Sequence, residues 1–150
     1  MKTPPAAGSV LRVGAALAPL AHEGVLVLGS GHMTHNLHEW IADARQRGSM
    51  TIDEREPVPY VSQFRDWVDT VLRNDDRAAL ARWQQEAPNA ARAHPTPEHF
   101  LPLMVAFGAA GPQQLRHVDR DRLEAGVAQL GGQRGRSGRH QYVAPVGQRV

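Results

Sequence analysis

Two short stretches gather most of the titratable rings. GVLVLGSGHMTHNLHEW, at 24–40, places His32, His35 and His38 within seven residues, straight after an apolar run. HPTPEHFLPLMVAFGAAG, at 94–111, adds His94 and His99. Imidazole is the common nitrogen ligand of protein-bound metals and the proton carrier that works near neutral pH. Gly29 and Gly31 let the backbone come close to a bound group, and Pro95 and Pro97 stiffen the loop that carries His94. His35 and His94 therefore stand out, each in a turn framed by glycine or proline. His32 and His38 lie three residues either side of His35 and are read as flanking the site or facing solvent. His22, His117 and His140 have no such context.

Other chemistries fail on spacing. A dinucleotide fingerprint needs a third glycine, and GSGHMT has only Gly29 and Gly31. A nucleophile elbow needs glycine two residues before the serine, where Ser30 has Leu28. Neither a phosphate-binding P-loop nor a His-Glu-x-x-His zinc helix is present. Cysteine is absent, which removes disulfides, thiolate catalysis and zinc–thiolate sites and fits a reducing cytoplasm.

The elements that must position these rings follow from periodicity. The run GVLVLG reads as a strand covered on both faces, as in a parallel sheet, with ligands expected at its carboxyl end. Residues 10–21 have helical spacing up to Pro19. In HNLHEWIADARQRG, Leu37, Trp40, Ile41 and Ala44 share one helical face and Gly48 ends it. VSQFRDWVDTVLRN repeats Phe64, Trp67, Val68, Val71 and Leu72 at a period of 3.6 and is the clearest amphipathic helix. Asp75 or Asp76 then caps RAALARWQQEA, which stops before Pro88. In the second histidine stretch, Thr96 is the expected N-cap, Pro97 the first helical residue, and Gly108 and Gly111 the end. MTIDEREPVPY is a loop. One strand cannot satisfy its own amides, so the α/β pattern implies the C-terminal part of a mixed sheet flanked by helices.

The chain has 150 residues, one domain's worth, with a formal net charge of +2. Residues 1–111 carry ten Lys/Arg and twelve Asp/Glu, and residues 112–150 carry seven and three. The basic end, GGQRGRSGRHQYVAPVGQRV, lacks helical period and interleaved aromatics. It reads as a disordered Gly/Arg-rich tail, and nucleic-acid binding is not favoured. No apolar stretch reaches membrane-spanning length, and Pro4, Pro5 and Arg12 break any signal-peptide core.

The two histidine stretches carry a resemblance. Gly-Ser-Gly-x-x-x-His-Asn-Leu at 29–37 and His-Pro-Thr-x-Glu-His-Phe-x-Pro-Leu at 94–103 resemble the C-terminal half of class III extradiol ring-cleavage dioxygenases, the group similar to 4,5-DOPA dioxygenase. The likeness covers roughly residues 10–111, so residues 1–111 are expected to be a partial dioxygenase domain and 112–150 a divergent tail. It implies a mononuclear iron(II) site, or zinc, at which a catechol-type substrate and O2 meet and the ring is opened beside the diol. His94 would match a metal ligand. His35 would match the acid/base histidine beside the metal and is expected to coordinate it as well. His99, Gly31, Thr34 and Asn36 would match positions that shape the substrate pocket. The family's remaining metal-binding histidines lie in N-terminal Ser-His-Gly and Ala-His-Trp-like segments, and neither occurs here. The expected partners are therefore the small molecules and either a missing N-terminal half or a second copy. Two other readings stay open: an inactive fragment that binds metal weakly, and an interaction module with a basic tail.

Overall fold

The computed structural model describes residues 6–49, 58–114 and 139–143. The chain opens with α1 (Ala7–Leu17) and a 3-10 helix (Ala18–Glu23), then reaches β1 (Leu28–His32) and α2 (Leu37–Arg47). A helical run follows: α3 (Pro59–Arg73), α4 (Arg77–Ala81), α5 (Trp83–Glu86), α6 (Ala90–Ala93) and α7 (Leu101–Gln114). Last comes β2 (Arg139–Val143), paired antiparallel to β1 with Leu28 opposite Val143 and His32 opposite Arg139.

The core sits between α3, the short helices and α7. Tyr60, Phe64, Val68 and Val71 of α3 are buried at helical spacing, with Trp67 and Leu72 packed at the edge. They meet Leu80, Trp83, Phe100, Met104 and Phe107. Phe64 meets Trp83 and Phe100 edge to face, and Trp83 and Phe100 lie tilted with centroids 4.7 Å apart. Each large ring buried this way stabilises the fold by roughly 1.5–3 kcal/mol. α1 crosses α7 where Gly14 and Gly108 touch. A Cβ on Gly14 would collide with the Val105 carbonyl, and one on Gly108 with that of Leu11.

The capping chemistry is local and clear. Asn36 caps α2 by accepting from Glu39 N–H at 3.1 Å, and Gly48 closes it. Asp76, not Asp75, caps α4 by accepting from Ala79 N–H at 2.9 Å. Pro59 takes the first turn of α3, where its missing N–H is not needed.

Four expectations are corrected. The described residues are mainly helical and hold a two-stranded antiparallel ribbon, so no mixed sheet flanked by helices is formed among them. The strand begins near the end of the apolar run and consists mostly of the glycine segment. Gly29 and Gly31 face inward because β1 lies directly on the start of α7: a Cβ would collide with the Pro102 carbonyl at Gly29 and the His99 carbonyl at Gly31. Val25, Leu26 and Leu28 are left 44–49% exposed. Thr96 does not cap α7, which starts at Leu101. A helix begun at Pro97 would put Pro102 in its interior, where the ring strikes the carbonyl four residues back. Gly108 does not end α7 but lies inside it, and Gly111 breaks the helical path with φ 67.

The expectation of a disordered tail falls mostly on residues outside those described. Within the tail, residues 139–143 form β2. The loop expected at 50–60 also lies largely outside them, with Pro59 and Tyr60 already in α3.

Candidate metal centre

The site is built where the two histidine stretches are laced together. β1 ends at His32, and the chain turns through residues 33–36 into α2. His32 N–H donates to the His99 carbonyl at 2.9 Å, and His35 N–H to the Ala93 carbonyl at 2.7 Å. His94 Nε2 lies 2.9 Å from the Met33 carbonyl, and the Asn36 amide donates to the Arg92 carbonyl at 2.8 Å. Four links thus join residues 32–36 to residues 92–99. The Arg92 side chain strengthens the seam from outside: its guanidinium takes both carboxylate oxygens of Glu39, at 2.7 and 3.1 Å, and lies over the Tyr60 ring. That ion pair holds the Glu39 carboxyl below its usual range, the hydrogen bonds from Arg92 being the main cause.

The seam brings three imidazoles together. His32, His35 and His99 each offer a ring nitrogen, and these atoms all lie within 4.8 Å of one another. Among the described residues this is the group of three that could hold a metal ion. His35 and His99 stack with centroids 3.6 Å apart and planes 28° from parallel. His32 sits 5.2 Å from His35 and 5.4 Å from His99. All three are half-buried. The His35 pKa is lowered, first by burial and then by the neighbouring His99, while Glu98 pulls it the other way. A neutral ring with a bare nitrogen is what both a divalent cation and an incoming proton require. Three converging imidazoles with oxygen donors left to water or substrate suit zinc or iron(II), so the residues present fit the implied metal.

The other residues singled out from the sequence take distinct places. His94 is not in the cluster. It is 3% exposed and surrounded by Phe64, Trp83 and Phe100 rings at 5.1–5.7 Å. Burial pushes its pKa down to about 4, against the opposing bond to Met33. Asn36 ties the seam with its amide and caps α2. Gly31 is buried against the His99 carbonyl, Thr34 is half-buried in the turn, and His38 is exposed. His99 stands in the cluster itself. His32, read only as a flanking ring, joins it as well. No local signal marks His32: it joins the ring cluster through the turn at 33–36, whose ties to residues 92–99 are long-range.

An apolar groove of about 510 Å³ is lined by Val10, Leu28, Leu101, Pro102 and Val105, and Glu98, the residue before His99, stands at its polar edge. The Glu98 carboxyl is held low, chiefly by the Thr96 hydroxyl donating to it at 2.6 Å.

Comparison with known proteins gives this geometry a context. Residues 1–128 match the family described as the catalytic LigB subunit of aromatic ring-opening dioxygenase. The chain is 35% identical over 120 residues to 4,5-DOPA dioxygenase extradiol of Beta vulgaris, covering 80% of this chain and 41% of that protein. It is 37% identical over 103 residues to the protein so named in Portulaca grandiflora, covering 66% of this chain and 33% of that one. To the protein so named in Escherichia coli it is 27% identical over 119 residues, covering 76% and 40%. The chain therefore spans one-third to two-fifths of the length of these relatives. On the family match across most of its length, the chain belongs to the aromatic ring-opening dioxygenases of the LigB type.

Proposed function

We propose that this chain carries part of an extradiol dioxygenase active centre that acts on a catechol-type substrate with O2. The observation that supports this best is the convergence of His32, His35 and His99 at the seam of the two family motifs. These three rings would hold the metal, iron(II) or zinc. When bound, the metal supplies Lewis acidity toward the catechol oxygens and, as iron(II), the redox partner for O2. The chain's own residues do the rest. His35 gives the metal one ring nitrogen, its pKa lowered first by burial and then by the neighbouring His99, and the proton a catechol hydroxyl loses on binding goes to solvent water. The groove at Leu28, Leu101 and Pro102, which reaches Glu98, would give an aromatic ring an apolar wall.

The supply of ligands limits what this chain does alone. Three imidazoles leave much of a coordination sphere to water, and metal affinity follows the number of ligands and how well they are held. We therefore infer that full activity needs further donors from the three-fifths or more of the relatives' length that this chain does not span. The named relatives support a small-molecule enzyme over a nucleic-acid module. Among the described residues no helix is long and apolar enough to cross a membrane.

The test adds iron(II) and a catechol to the purified chain under anaerobic conditions and then admits oxygen. A yellow ring-opened product that depends on His35 and His99 supports the reading. Slow turnover that rises when a polypeptide matching the relatives' remaining length is added supports the incomplete centre. Metal binding unaffected by loss of any of the three histidines would remove the centre altogether.

A further inference from the structure

We propose that His94 is a positioning residue: by donating Nε2–H to the Met33 carbonyl it fixes the turn that presents His32 and His35, and it does not itself ligate the metal. This rests on the reading of His32, His35 and His99 as the metal centre.

The tautomer follows from the partner. A carbonyl oxygen can only accept, so the Nε2 that lies 2.9 Å from Met33 O carries the hydrogen. The remaining ring nitrogen, Nδ1, is buried and has no hydrogen-bond partner among the described residues. Its ring is enclosed by Phe64, Trp83 and Phe100, with centroids 5.5, 5.7 and 5.1 Å away. Ligation through Nε2 would break the bond to Met33. Ligation through Nδ1 would need the aromatic cage to open.

The position of Met33 gives the bond its purpose. Met33 stands between His32 and His35, whose own N–H groups are tied to His99 and Ala93. The backbone of this turn is thus held at residues 32, 33 and 35, and the middle tie comes from a side chain. That side chain sits among Phe64, Trp83 and Phe100 of the buried core, so the bond couples the turn to the core. The cluster's ligand atoms are spread over up to 4.8 Å and must keep their relative placement to share one ion. Metal geometry tolerates little drift, and groups that only orient ligands can still change affinity by roughly 10–100-fold.

The experiment measures Zn2+ affinity by competition with a chromophoric chelator, beside the metal-free melting temperature, for the full chain and two variants. His94→Phe fills the cage but has no donor. His94→Gln places an amide donor near the Nε2 position. The expected result is a folded His94→Phe whose zinc affinity falls on the order of tenfold or more, with most of the loss recovered in His94→Gln. Equal affinity in wild type and a folded His94→Phe would show that His94 is core filling only, and the proposal would be wrong. Equal loss in both variants would make His94 a ligand, which also overturns it. If His94→Phe does not fold, His94→Met, a flexible apolar filler, supplies the donor-free comparison. A wild-type chain that binds no zinc would bring down the metal-centre reading, and this inference with it.

Discussion

The imidazoles of His35 and His99 lie stacked, 3.6 Å between centroids, although one precedes α2 and the other lies between α6 and α7. The His35 pKa is lowered, first by burial and then by the neighbouring His99. That favours the uncharged ring a cation needs. His35→Ala or His99→Ala should therefore reduce zinc affinity beyond the roughly 10–100-fold seen when only a supporting group is lost. His38→Ala, an exposed ring outside the cluster, should leave it unchanged. Isothermal titration with Zn2+ distinguishes them. If loss of His38 weakened binding as much as loss of His99, the cluster would be misassigned.

Asn36 does two jobs with two atoms. Its oxygen caps α2 and its amide holds the Arg92 carbonyl. Asn36→Ala loses both, for about 2–3 kcal/mol in total from one cap and one hydrogen bond. Asn36→Asp keeps the cap and loses the amide donor, so it should be destabilised less. Urea unfolding of the two variants checks the order. The same or a greater loss in Asn36→Asp would mean that the cap contributes little.

The glycines of β1 are steric requirements. Gly31→Ala sets a Cβ against the His99 carbonyl, and Gly29→Ala against that of Pro102. Backbone cannot move aside as a side chain can. Each change should cost at least about 1–3 kcal/mol, the usual range for overpacking, and Gly31→Ala should also lower zinc affinity because His32 and His99 flank the collision. Gly8→Ala in α1 is the contrast: its Cβ would meet ordinary contact, 3.7 Å from Ala81, and helix propensity favours it by up to about 1 kcal/mol. Thermal melts of the three variants test the prediction, which is wrong if Gly31→Ala melts no lower than Gly8→Ala.

What could be read from the sequence was local. The period of α3, the Asn36–Gly48 bounds of α2 and the cap before α4 are set within a few neighbouring residues, so pattern alone reveals them. The strand was misplaced because an apolar run and a glycine run compete for the same reading. The winner is decided by the backbone at His99 and Pro102, at the entry to α7, which lies where a side chain at 31 or 29 would be. The α7 start was misjudged because Thr96 and Pro97 look like a helix opening, while Pro102 forbids one so early. Within the site, His35 and His94 were equally prominent, each framed by glycine or proline. Their separation into a cluster ring and a buried donor depends on bonds between residues 32–36 and 92–99, and no local pattern records those.

His94 also makes stability depend on pH, with a sign that follows from its neutral state. Burial holds the folded pKa at about 4, below the ordinary value of 6.5, so the unfolded chain binds more protons between these values. Stability rises with pH wherever the unfolded state holds the extra proton. The contribution is fully present above pH 6.5 and is lost progressively as pH falls toward 4. At about 1.4 kcal/mol per pKa unit, the full effect is on the order of 3 kcal/mol. Urea unfolding of the metal-free chain between pH 4 and 7 should show that slope. His94→Phe should flatten it, since a ring that cannot protonate contributes no proton linkage. An unchanged slope in His94→Phe would place the linkage on another group and show that His94 is charged or solvated in the native state, which the cage of Phe64, Trp83 and Phe100 otherwise excludes.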